Sequence, residues 1–180
     1  MSIARSRLLK LLNSRAVVRQ KVTLASGQTS DYYIDCRSVL LHGESATLIG
    51  ELVWEALRDV AIDAVGGPET AALPITTATT MHFHRMGQPM EGFFVRKETK
   101  AHGLQKRIEG RWQPGWRGAG VEDVLTTGGS VQSALDAIRA AEGHVVLVVC
   151  LVDRLQGAAE RFAAQGIPFK PLFTLKDLTI

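Results

Sequence analysis

The sequence predicts an α/β domain with a central parallel sheet flanked by helices. Three observations carry that prediction. Short apolar runs alternate with stretches whose apolar residues recur at helical spacing, as in strand–helix–strand units. Residues 145–152 are apolar without interruption, the pattern of a strand buried on both faces. Residues 121–130 pass from an apolar run, through two acids and a loop of hydroxyls and glycines, into a helix-periodic stretch. The 180 residues suffice for one domain with a real core, residues 1–180.

The elements follow in order. Residues 3–12 form a first helix, with Leu8, Leu9, Leu11 and Leu12 on or near one face. Residues 21–24 and 31–37 form two short strands joined by 25–30. Residues 44–58 form a helix, because Leu48, Ile49, Leu52, Val53 and Leu57 keep the helical period. Residues 61–65 are a buried strand ended by Gly66-Gly67-Pro68. A helix follows Pro74 and ends near Gly87, and residues 93–95 are a short strand. Residues 96–114 are polar, charged and without a period. The strand leading to Glu122-Asp123 comes next, then a helix through Val131, Leu135 and Ile138 that closes at Gly143. Strand 145–152 precedes a helix from Gly157 to Ala164, and the tail 167–180, with Pro168 and Pro171, reads as a covering segment. Gly118 and Gly120 weaken the strand before the acids and mark close packing of a neighbouring helix or ring.

Composition bounds the function. Apolar residues are 46% and charged residues 22%, ordinary for a globular protein, and a net charge of +3 gives no whole-protein attraction to nucleic acid. Cys36 and Cys150 lie outside any Cys-x-x-Cys pair and read as small core residues of a reduced, cytoplasmic protein. The longest apolar run is too short to cross a bilayer, and the amphipathic N-terminus lacks the continuous apolar region of a secretory signal.

In a parallel sheet, ligands bind beyond the carboxyl ends of the strands. Gly66-Gly67, Arg96-Lys97, Glu122-Asp123 and Asp153-Arg154 all sit at such ends and should meet at one crevice. Residues 126–130 (Thr126, Thr127, Gly128, Gly129, Ser130) combine hydroxyl donors, open backbone and a helix start, which suits a phosphate. They match neither a P-loop nor a dinucleotide fingerprint. Carboxylates just ahead of them would accept hydrogen bonds from sugar hydroxyls, so a ribose 5-phosphate unit fits; the alternative is a plain turn capped by the acids. Arg96, Lys97, Lys100 and His102 put four potential cations in seven residues between glycine-flanked ends. They either grip a highly charged leaving group such as diphosphate or form a solvated loop. Residues 24–35 read as a hairpin carrying Tyr32 and Tyr33. Arg154 can hold a carboxylate with two parallel hydrogen bonds, or pair at the surface with Asp153 or another neighbour.

Residues 122–130 resemble the phosphoribosyl-diphosphate (PRPP) signature of the type I phosphoribosyltransferases. Arg96-Lys97, Lys100 and His102-Gly103, followed by Ile108-Glu109-Gly110, resemble the catalytic loop of the orotate phosphoribosyltransferases in particular. Residues 24–35 resemble that family's orotate-side segment, with Ala25 where many members carry a lysine and others read Ala-Ser-Gly. Gly66-Gly67-Pro68-Glu69 matches the diphosphate-side turn, and the resemblance spans about residues 22–178.

The resemblance implies a type I phosphoribosyltransferase-like fold with a small hood from about 1–40 and 166–180. It implies transfer of ribose 5-phosphate from PRPP to orotate, giving orotidine 5′-monophosphate and diphosphate. Lys100, His102 and Asp123 would be catalytic. Arg96, Lys97, Lys100 and His102, with Glu122, Asp123, Val124, Leu125, Thr126, Thr127, Gly128, Gly129 and Ser130, would bind PRPP. Thr126, Arg154 and Tyr33 would bind orotate. Mg²⁺ would be held through the substrate with no direct protein ligand. The partners would be PRPP, orotate and a second copy of the chain sharing its sites, with no nucleic acid or membrane. Two rivals are a phosphoribosyltransferase for another base, with Arg154 and the wording of residues 100–103 arguing against a purine, and a PRPP-sensing regulator, which usually lacks the basic loop.

Overall fold

The computed structural model describes residues 2–23, 29–97 and 106–180. Helix α1 (Ile3–Leu11) is capped by the Ser2 side chain, which accepts from the Arg5 N–H at 3.2 Å, and runs on as a π-helical turn, Leu12–Ala16. Strands β1 (Val17–Val18), β2 (Val22–Thr23), β3 (Thr29–Ser30) and β4 (Tyr33–Ile34) follow. β2 pairs with β3, whereas β4 returns to pair antiparallel with β1. The expected hairpin of 21–24 against 31–37 is therefore two separate ribbons. Two-residue strands show no alternation from which a partner could be read. Helix α2 (Arg37–Leu40) was not expected, and α3 (Gly43–Leu57) buries Ile49, Leu52, Val53 and Leu57 as their spacing predicts.

The main sheet contains β5 (Ala64–Pro68), β6 (Glu91–Val95), β7 (Ile108–Gly110), β8 (Arg117–Leu125), β9 (His144–Asp153) and β10 (Phe169–Thr174). Its order is β10-β9-β8-β5-β6-β7, parallel throughout except for β7 at one edge. Helix α4 (Ala72–Arg85) follows β5, α5 (Gly129–Ala140) follows β8, and α6 (Ala158–Ala163) follows β9. Three expectations need correction. Gly66 and Gly67 lie inside β5 rather than ending it: Gly66 sits between Phe93 of β6 and Gly120 of β8, and Gly67 pairs with Phe94 of β6. β7 emerges from the stretch that showed no period. The tail is a strand as well as a cover: Pro171 is tolerated because β10 is an edge strand with only β9 beside it. Past it, the Thr179 N–H donates to Asn13 Oδ1 at 2.7 Å, which ties the end of the tail to the N-terminal segment.

Strand alternation divides the core into two layers. Leu147, Val149 and Leu151 of β9 pack with Leu8, Ile49, Val53 and Ile75 from α1, α3 and α4. Val148 and Cys150 point the other way, onto Leu135 and Ile138 of α5 and Phe162 of α6. The two glycines of β8 have the reason anticipated for them. A Cβ on Gly118 would lie 3.0 Å from the Trp112 ring, and one on Gly120 would lie 3.1 Å from Leu135 of α5.

Candidate active site

The parallel strands bring the ends of β5, β6, β8 and β9 to one edge. On β8, residues alternate between the two layers, so the adjacent acids leave the strand on opposite faces, yet the Glu122 carboxylate turns back to the Asp123 N–H and the two acids interact. Glu122 is buried on the α5 side. It accepts from the Ser130 hydroxyl at 3.1 Å and from the Asp123 N–H at 3.2 Å. Asp123 opens toward the N-terminal ribbon and accepts from the Val124 N–H at 2.7 Å. Burial, and then the neighbouring Asp123 charge, raises the Glu122 pKa; burial also raises that of Asp123, against the opposing pull of its hydrogen bonds and of Arg37. Two acids on consecutive residues thus hold their protons more tightly than free carboxyls until a partner compensates them.

Between β8 and α5, residues 126–128 form the loop. Gly128 adopts φ 77°, and a Cβ there would stand 3.0 Å from the Phe162 ring, so conformation and space both require glycine. No side chain caps α5, which leaves its first N–H groups for an anion. Thr126 is half-buried, and Thr127, Gly129 and Ser130 are exposed around that opening, while Val124 and Leu125 serve as strand.

On the α5 side of Glu122 lies a cavity of about 320 Å³ lined by Glu69, Arg96, Lys97, Arg107, Glu122 and Ser130, among others. Glu69 accepts from the Lys97 N–H at 2.9 Å and so ties the β5 turn to the end of β6. Arg107 donates to Ser133 Oγ at 2.8 Å, and the Arg96 guanidinium stands 3.7 Å from Glu109 with its Nε buried and, among the described residues, without a hydrogen-bond partner. At the end of β9, the Asp153 carboxylate accepts from the Leu155 N–H at 2.9 Å and forms no ion pair with Arg154 among the described residues. Arg154 instead lies over the Tyr32 ring, 5.7 Å from its centroid, and its Nε is also buried and, among the described residues, without a hydrogen-bond partner. Arg96, Lys97 and Arg107 thus line the Glu122 cavity, Arg154 follows β9 at the same sheet edge, and the start of α5 has no side-chain cap.

No family model matches the chain. An orotate phosphoribosyltransferase of Bradyrhizobium sp. (strain BTAi1) is 43% identical over 180 residues, covering 98% of this chain and 97% of that relative. The chain belongs to the orotate phosphoribosyltransferase family. Its fold agrees: the crystal structure of the Mycobacterium tuberculosis orotate phosphoribosyltransferase with Fe(III) dicitrate matches with a TM-score of 0.89 at 41% identity, covering 98% of this chain and 99% of that one. The same enzyme in complex with PRPP matches with a TM-score of 0.84 at 38% identity and the same coverage. The architecture is thus the type I phosphoribosyltransferase fold.

Within this orotate phosphoribosyltransferase fold, sequence-predicted residues from the ends of β6 and β8 and the start of α5 meet at one sheet edge. Arg96, Lys97, Glu122 and Ser130 share one cavity, and Asp123 faces a second. Lys100, His102 and Ala25 lie outside the described residues. Tyr32 supplies the ring beneath the Arg154 guanidinium, and Tyr33, 41% exposed, lines the Asp123 cavity. Tyr32 lies just before β4, which Tyr33 opens, and two adjacent tyrosines carry no signal in the sequence that assigns either to Arg154. Sequence reasoning missed Arg107 and Ser133. The signal for Arg107 was its place beside Ile108-Glu109-Gly110, where a charged run turns into an edge strand.

Proposed function

We propose that this chain catalyses transfer of ribose 5-phosphate from PRPP to N1 of orotate, releasing diphosphate and forming orotidine 5′-monophosphate. The observation that carries the reading is the buried, unpartnered Nε of Arg154 above Tyr32, on the same sheet edge as Glu122 and the α5 start. A shielded guanidinium donor is costly unless an acceptor meets it. The carboxylate of an anionic pyrimidine supplies one, with two parallel hydrogen bonds available.

The reaction is substitution at C1 of the ribose, with positive charge growing on the ring as diphosphate leaves. Positioning and charge do most of the work. Thr126, Thr127, Gly128, Gly129 and Ser130 hold the 5-phosphate against the uncapped start of α5. Glu122 and Asp123 accept from the ribose hydroxyls and face the developing cation. Ser130 couples the two halves, since its hydroxyl already donates to Glu122. Arg96, Lys97, Lys100 and His102 neutralise the departing diphosphate, and Arg154 with Thr126 orients orotate.

Mg²⁺ fits as an ion held chiefly by substrate. Glu122 and Asp123 would offer hard oxygen donors at the sugar site proposed for them. When bound, it supplies charge neutralisation on diphosphate.

The working form in this reading is a homodimer with shared sites, in the cytoplasm, with PRPP and orotate as its partners and no nucleic acid or membrane. Exposed Leu41 and Tyr33 beside the Asp123 cavity support a second copy there. Among the described residues no helix is long and apolar enough to cross a membrane. A base panel tests the reading: diphosphate release from PRPP and Mg²⁺ is measured with orotate, uracil, adenine and hypoxanthine in turn. Release with orotate alone is expected. Release with a purine but not orotate would point to the other-base rival, and PRPP binding without release to a regulator.

A further inference from the structure

The cavity on the hood side of Asp123 holds about 350 Å³ and is lined by Tyr33, Asp35, Arg37, Thr70, Pro74 and Asp123, among others. Arg37 is the only Lys or Arg among its described lining residues. Its guanidinium is fixed by one carboxylate: Nε donates to Asp35 Oδ1 at 2.7 Å and Nη2 to Asp35 Oδ2 at 3.1 Å. The Arg37 N–H donates to the same Oδ1 at 3.1 Å, so the acid holds both backbone and side chain. Asp35 is itself anchored, its N–H donating to the Ala16 carbonyl at 2.8 Å and its carbonyl accepting from Ser38 Oγ at 2.9 Å.

An exposed ion pair two residues apart contributes little to stability. Holding a largely exposed arginine this firmly in the lining of the cavity that Asp123 shares makes sense for recognition. Arg37 keeps Nη1 free of any hydrogen bond among the described residues. Its charge also reaches Asp123, opposing the effect of burial on that acid. On the proposed reading Asp123 holds a ribose hydroxyl, so whatever group projects from the sugar on this side meets Arg37. In PRPP the anionic group beside the ribose hydroxyls is the diphosphate at C1.

We propose that Arg37, braced by Asp35, is a PRPP-binding residue that contacts the diphosphate side of the substrate above Asp123. The proposal rests on the phosphoribosyltransferase reading, and binding measurements separate the two. PRPP binding is measured by calorimetry with the full chain, without orotate, for wild type, Arg37→Ala, Arg37→Lys and Asp35→Asn. Turnover is measured with each substrate varied. Arg37→Ala should weaken PRPP binding and raise its KM about 10-fold or more, with the KM for orotate within about 2-fold. Arg37→Lys should recover part of the loss, and Asp35→Asn should fall between, since it frees the guanidinium without removing it. Unchanged PRPP binding in a folded Arg37→Ala protein overturns the proposal, as does an equal loss for both substrates. If Arg37→Ala does not fold, Arg37→Lys and Asp35→Asn decide by the same criterion. A wild type that binds PRPP but makes no nucleotide from orotate refutes the enzymatic reading and leaves the Arg37 binding result standing on its own.

Discussion

Replacing Arg154 by alanine tests how base choice is built. The side chain spends little on structure. Its backbone N–H, which donates to the Leu125 carbonyl at 2.8 Å, survives the change. The substitution chiefly removes the stack on Tyr32 at 5.7 Å, an interaction worth about 0.5–1 kcal/mol. Stability should therefore fall by no more than about 1 kcal/mol. The substrate effect should be larger. Losing one member of a desolvated charged hydrogen-bond pair costs about 2–5 kcal/mol. Arg154 is only half-buried, with Nε fully shielded, which places the loss toward the lower end, about 2–3 kcal/mol. That is about 30- to 150-fold in kcat/KM for orotate. PRPP binding, carried by the α5 start and the acids, should change less than about 3-fold. Steady-state kinetics with each substrate varied, beside a thermal melt, provide the assay. Equal losses for both substrates in a folded protein would refute the assignment and move Arg154 to PRPP or to structure.

Three further outcomes are expected. Asp123→Asn should cut turnover by about 100-fold or more with the melt unchanged, because it removes charge near the forming cation; near-normal turnover would show the role to be wrong. Asp63, held by Arg117 through bonds of 2.8 to 2.9 Å, has its pKa lowered to about 2. A lowered acid stabilises the fold above its unfolded pKa and loses that contribution as pH falls through the folded value, so Asp63→Asn should destabilise near neutral pH and make little difference near pH 2. An equal effect at both pH values, measured by denaturant unfolding, would contradict the linkage. Lys100→Ala and Asp123→Asn chains, each nearly inactive, should recover about a quarter of wild-type activity when co-refolded if the basic loop serves the partner's site, since about half of random dimers are mixed and each holds one intact site; no recovery in tag-verified mixed dimers would leave the loop serving its own subunit.

The most legible part of the chain was the join between β8 and α5, where the apolar pattern changes period within a few residues and glycine and hydroxyls fill the gap. That change reports backbone geometry directly, and the same residues carry the chemistry, so site and fold were read together. Elsewhere local signals misled or were absent. The proline-bearing tail reads as a covering segment, yet an edge strand needs no N–H on its outer side and accommodates Pro171. The pairing of β1 with β4 joins residues 17 and 34, and strands of two residues show no alternation that would predict it. Glu122 and Asp123 were read as one unit. Only the structure shows that they leave β8 on opposite faces, Glu122 bonded to Ser130 and Asp123 sharing a cavity with Arg37, while still interacting with each other. Arg107 was hidden because a cation in a charged run looks like solvent-facing surface until its partner on another element, here Ser133, is known.

The central claim is that this chain joins orotate to the ribose of PRPP. The most direct measurement follows orotate absorbance on mixing purified protein with orotate, PRPP and Mg²⁺, with the product mass determined at the end. The account predicts a steady absorbance loss that requires both substrates, with orotidine 5′-monophosphate and diphosphate appearing in equal amounts. Unchanged absorbance from folded protein that still binds PRPP would contradict it.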